Sequence, residues 1–172
     1  MKTLHLFFMV VCIASVLAPG RESARAGEKK ISKKQIPAAV LSAFQTAYPH
    51  ATIKGQSVET ENGKKFFEIE SVDGKTKRDL LYTPDGKAVE VEESLEISTL
   101  PDEMKSAISK EYPKGKIIKA EKVTSDTSVT YEFQVKVGKK IKGLLLDPSG
   151  KLLKGGKEDA EKEEKNEEKE DD

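Results

Sequence analysis

The sequence predicts an α+β fold made of two tandem repeats, each one helix followed by a meander of about four antiparallel strands, with the helices packed on one face of the sheet. Three observations carry this. The stretch from Ile36 to Pro49 returns as Leu100 to Pro113, a shift of 101 − 37 = 64 residues, and the residues after it recur at the same shift without a gap, Glu68 with Glu132 and Gly74 with Gly138 among them. Within that stretch the apolar residues have helical spacing, and after it the period drops to two.

The ends of the chain stand outside the repeat. Lys2 precedes an apolar run from Leu4 to Ala18, too short to span a bilayer comfortably. Ala24-Arg25-Ala26 then supplies a small-x-small cleavage pattern, so residues 1–26 read as a secretory signal peptide and the mature protein as periplasmic or secreted. Cys12 is the single cysteine and would leave with the leader. The mature chain then carries no thiol into an oxidising compartment, and its stability must come from apolar burial. Residues 27–34 are charged and read as a flexible lead-in. At the other end, residues 157–172 hold ten acidic and four basic side chains and one small apolar residue, Ala160. Such a segment cannot bury enough surface to offset its ordering entropy and reads as a disordered acidic tail. The repeats occupy residues 35–93 and 94–156.

The first element is a helix. Ile36, Val40, Ala43, Phe44, Ala47 and Tyr48 line one helical face, Pro37 suits the first turn, and Pro49 disfavours helical geometry at Tyr48 and ends it. Leu100, Met104, Ala107, Ile108 and Tyr112 repeat the design, with Thr99 and Asp102 as an expected N-cap pair. Thr52 to Thr60 is the first strand, closed by a two-residue hairpin at Asn62-Gly63. In the second strand Phe67, Ile69 and Ser71 alternate with Phe66, Glu68 and Glu70; its counterpart alternates Tyr131, Phe133 and Val135 with Glu132 and Gln134. Asp73-Gly74 and Gly138 mark turns into Arg78 to Thr83 and Lys142 to Asp147. Pro84-Asp85-Gly86 and Pro148-Ser149-Gly150 are turns with proline pre-set at the second position, each leading into a last strand. A unit of about 60 residues is marginal alone, so the two are expected to pack side by side.

The third strand departs from a one-faced sheet. Leu80 and Tyr82 point one way and Leu81 the other, Leu145 repeats this against Leu144 and Leu146, and Phe66 also faces away from the helix side. Two arrangements satisfy the pattern. Either the second face is covered by the other repeat or a loop, or it is an apolar centre rimmed by charge, as a protein-binding face is.

Catalytic chemistry is missing. His50 is the only histidine beyond the leader and reads as an exposed loop residue, so with the thiol gone neither a tetrahedral zinc site nor a Cys-His pair can be assembled within a monomer. The glycines sit in turns and make no phosphate-cradling loop, and the Asp-Gly pairs lack the further acidic ligands of a calcium loop. No enzyme, no cofactor and no metal are expected. Residues 27–156 carry a mild net +4, spread along the chain, which gives no nucleic-acid footprint.

The Ile/Leu-Pro start, the helix closing in Tyr-Pro, the aromatic-Glu-apolar strand (Phe67-Glu68-Ile69, Tyr131-Glu132-Phe133) and the Pro-x-Gly-Lys turn together resemble the PepSY-like, beta-lactamase-inhibitor-like family over about Ser32 to Lys154. The resemblance implies an exported bacterial protein with tandem helix-plus-sheet units, and a sheet face that binds protein. Unlike the namesake inhibitor with its disulfides, this mature chain has no cysteine. The expected function is a non-enzymatic protein-binding module, an inhibitor of a peptidase or other cell-envelope enzyme, with no membrane span after leader cleavage. Its expected face comprises Phe66, Glu68, Glu70, Leu81, Glu132, Gln134 and Leu145. The alternative is a structural or ligand-sensing envelope protein that holds a small molecule or cation between the repeats.

Overall fold

A computed structural model describes residues 28–158 except Asn62. The predicted leader 1–26 and most of the predicted tail, 159–172, lie outside the described residues. Two helices and a nine-stranded sheet make an α+β fold. The strands are β1 (Lys29–Lys30), β2 (Thr52–Glu61), β3 (Lys64–Asp73), β4 (Thr76–Tyr82), β5 (Ala88–Ser94), β6 (Lys116–Ser125), β7 (Val129–Val137), β8 (Lys140–Leu146) and β9 (Leu152–Glu158). They lie in chain order, and each neighbouring pair is antiparallel. The two halves meet at β5 and β6, which pair from Glu90↔Ser125 to Ser94↔Glu121, so one sheet runs through both.

The helices are α1 (Ala38–Ala47) and α2 (Asp102–Glu111), whose bounds differ by the sequence shift. Each starts one residue later than the proline pattern implies. Pro37 and Pro101 take the N-cap position with extended backbone, and their carbonyls accept from Leu41 N and Lys105 N, both at 3.1 Å. Proline is tolerated there because an N-cap needs no intrahelical N–H. The expected Thr99–Asp102 cap is absent: Thr99 closes a 3-10 turn, Ile97–Thr99, and its hydroxyl donates to Glu96 O at 2.9 Å. The helices end at Tyr48 and Tyr112, whose N–H groups bond Phe44 O and Ile108 O at 2.8 Å.

Part of the lead-in is regular. Lys29 and Lys30 pair with Val58 and Ser57, and a 3-10 turn comes next at Lys33–Gln35, where Gln35 Oε1 accepts from Ser32 N and Ser32 Oγ, each at 2.9 Å. The sequence hides this because two residues show no period. Likewise β9 continues through Gly155-Gly156 to Glu158, past the point where the tail was expected to begin.

Two buried clusters mirror each other. Ile36, Val40 and Phe44 gather with Ile69, Leu80 and Tyr82; Leu100, Met104 and Ile108 gather with Ala120, Phe133, Val135, Leu144 and Leu146. Burial at i and i+4 on each helix and at alternate strand positions is what the sequence pattern predicts. The Pro-x-Gly turns close on Gly86 N→Thr83 O and Gly150 N→Asp147 O, both 2.9 Å. Gly86 has φ 90°, and a Cβ there would lie 2.7 Å from Ala39 O, so this turn seats against the start of α1. In the second turn Ser149 Oγ donates to Asp147 Oδ1 at 2.6 Å, which with Ser149 N and Lys151 N holds that carboxyl below its ordinary range.

Candidate binding face

Strand register decides which side chains share a face, because residues directly opposite in an antiparallel pair point the same way. Glu68 stands opposite Ser57 on β2 and Leu81 on β4. Leu81 stands opposite Glu90, and Glu90 opposite Ser125. The next row runs Gly55, Glu70, Asp79, Glu92, Val123, Thr130 across six strands. A third joins Ser94, Glu121, Glu132 and Leu145, and Gln134 lies between Lys119 and Gly143. Phe66, Glu68 and Glu70 alternate on β3 as Glu132 and Gln134 do on β7. All seven sequence-predicted residues therefore stand on one face, and Ile69, Leu80, Phe133 and Leu144 of the buried clusters stand on the other.

Three local contacts shape this face. Ser57 Oγ donates to Glu68 Oε2 at 2.7 Å, fixing one carboxylate oxygen. Glu70 lies over Gly55, where a Cβ would sit 2.6 Å from Glu70 Oε2, so only glycine leaves that carboxylate its place. Lys119 Nζ and Glu121 Oε1 pair at 2.7 Å.

Exposure divides the predicted set. Glu70 is exposed, and Glu68, Leu81, Glu132, Gln134 and Leu145 are half-buried. Phe66 is buried at 8 % exposure, so the apolar centre consists of Leu81 and Leu145 rather than all three. Ser57, Glu59 and Val123 are buried on the same face.

Sequence reasoning missed the acidic alignment. Glu70, Asp79 and Glu92 fall in one row, and Glu121 faces Glu132. Glu92 is visible in the alternation of β5, but the alignment needs the register across β3 to β7, which no local pattern encodes. Among the described residues no group of three or more His, Cys, Asp or Glu is placed to hold a metal ion. Among them, too, no helix is long and apolar enough to cross a membrane.

The fold has solved relatives. A protein described as periplasmic from Bacteroides eggerthii is 18 % identical with a TM-score of 0.59, covering 69 % of this chain and 86 % of its own. A DUF2874 family protein from Bacteroides uniformis is 15 % identical with a TM-score of 0.58, over 69 % of this chain and 87 % of its own. A BLIP-like protein from Bacteroides fragilis is 19 % identical with a TM-score of 0.57, over 73 % and 89 %. At these identities the likeness is one of fold. A search of curated proteins finds no match. The profile of one family matches twice, at residues 23–89 and 71–154. The chain belongs to the PepSY-like, beta-lactamase-inhibitor-like family.

Proposed function

We propose that this is an exported, non-enzymatic binding module that holds a protein of the cell envelope against the sheet face bearing Glu68, Leu81, Glu132 and Leu145. In this reading each repeat is one helix and four strands, both helices pack on the opposite face, and the leader 1–26 directs export. The observation that carries it is a duplicated pair: Glu68 beside Leu81, and Glu132 beside Leu145. The two pairs lie four strands apart, about 19 Å across the sheet, and are offset by four residues along the strands, since their rows reach β5 at Glu90 and Ser94. A carboxylate next to an aliphatic side chain, presented twice at fixed spacing, suits a partner that brings cations and apolar contacts together. Family membership supports an inhibitory role, and the target class is a peptidase or another envelope enzyme.

The test is capture of envelope proteins by the exported chain, by Leu81→Asp and by Leu145→Asp, with thermal unfolding to show that each variant is folded. Loss of the same partner in both variants is expected. Retention of every partner by both removes the face from consideration.

A further inference from the structure

Beside the helices the two halves differ at Lys33 and Gln56, which stand where the second half has Ile97 and Ala120, and Gln56 Nε2 donates to Ile31 O at 3.0 Å. In the second half Leu95 N bonds Ala120 O at 2.8 Å, and the chain then turns so that Ile97 packs against the cluster of Met104, Ile108 and Phe133. The first half repeats the backbone: Ile31 N bonds Gln56 O at 3.2 Å, and the matching 3-10 turn begins at Lys33. Lys33 stands where the other copy has Ile97, and it is exposed. A groove of about 410 Å³ lies there, and Lys33, Gln45, Tyr48, Thr52, Ile53 and Gln56 are among the residues that line it. The second half thus shows what covers this position in the same fold, a branched aliphatic side chain, and the first half replaces it with a cation.

We propose that the groove between α1 and β2 takes the C-terminal residue of a peptide, its branched aliphatic side chain filling the place of Ile97 and its carboxylate meeting Lys33. Tyr48, with the buried Phe44 ring behind it at 5.7 Å between centroids, gives one wall and Ile53 the other. The groove's size is that of a small-ligand site, and Lys33, Gln45, Thr52 and Gln56 set polar groups beside its apolar ones. The site lies on the helix side of the sheet and does not depend on the reading of the opposite face.

The probe is acetyl-Ala-Ala-Ile with a free carboxylate, titrated into the exported chain and followed by amide chemical shifts, with the C-terminal carboxamide as comparison. Shifts are expected at Phe44, Tyr48, Ile53 and Gln56 with weak affinity, and the carboxamide is expected to bind less well. Lys33→Ile should plug the groove from within and weaken binding about tenfold or more, the weight of one buried aliphatic group. That variant should also melt higher than the parent, so loss of binding is not loss of fold. No shifts at these four residues, equal binding of acid and carboxamide, or undiminished binding by Lys33→Ile each overturns the proposal.

Discussion

Glu68 and Leu81 face each other across β3 and β4, on the side of the sheet away from Ile69 and Leu80. One residue of sequence therefore separates a core leucine, Leu80 at 0 % exposure, from a half-buried one on the candidate face. Leu80→Ala should cost about 2–5 kcal/mol, as large-to-small changes in a packed core do. Leu81→Ala should cost about 1 kcal/mol, in proportion to its partial burial. Urea unfolding of the two variants measures the difference, and equal costs would mean that the candidate face is as covered as the core.

Ser71 occupies a core position that the second half gives to Val135. Its hydroxyl is buried with no hydrogen-bond partner among the described residues, and the same holds for Nη1 of Arg78 directly opposite. Arg78 keeps its Nε bond to Glu93 at 2.5 Å and lies 5.0 Å from the Tyr48 ring centroid. Since Val135 is fully buried at the matching position, Ser71→Val should fit and stabilise by about 1 kcal/mol through removal of the unsatisfied hydroxyl. A lower midpoint in urea would show that Ser71 has a partner that matters.

The Pro-x-Gly turns are alike in sequence but not in clearance. A Cβ at Gly86 meets Ala39 O at 2.7 Å, whereas one at Gly150 stays 3.5 Å from Glu103, and both glycines have positive φ. Gly150→Ala should cost about 1 kcal/mol from backbone conformation alone, and Gly86→Ala clearly more, because helix backbone must also move. Paired thermal melts test the order of the two.

Tyr82 carries a pH dependence. Burial, with Tyr48 as a lesser cause, pushes its phenol up from 10.0 to about 12. A raised folded-state value means that its contribution is complete below the unfolded value near 10 and is lost as pH rises from there towards 12. The slope from this one group is at most about 1.4 kcal/mol per pH unit. Tyr82→Phe should flatten the alkaline limb of stability against pH over that window and leave neutral pH unaffected. An unchanged limb would remove Tyr82 as its cause.

The features legible in the sequence were local. The helix stripes of Val40 with Phe44 and Met104 with Ile108, the period-two strands, and the glycine turns each depend on neighbours a few residues apart. The recurrence of Tyr-Pro and Pro-x-Gly-Lys then set the two halves in register with each other. Within each strand the side taken by a candidate residue is readable, because alternation alone separates Leu81 from Leu80 and Glu68 from Ile69. The features that escaped depend on long-range pairing: the β5–β6 junction, the row of Glu70, Asp79 and Glu92, and the two-residue β1. Thr99 lies in a 3-10 turn because a cap sequence also suits such a turn, and Pro101 takes the N-cap position beyond it. Burial of Phe66 was likewise out of reach, since alternation gives a direction and not what lies above it.

Docking of a partner on the face of Glu68, Leu81, Glu132 and Leu145 can be read directly by site-specific photo-cross-linking in living cells. The reactive side chain is placed in turn at Leu81, at Leu145 and, on the exposed sides of the two helices, at Ser42 and Ser106. One common protein adduct is expected from Leu81 and Leu145, and none of that adduct from the helix positions. Adducts from Ser42 or Ser106 alone, or from none of the four, would contradict docking on this face.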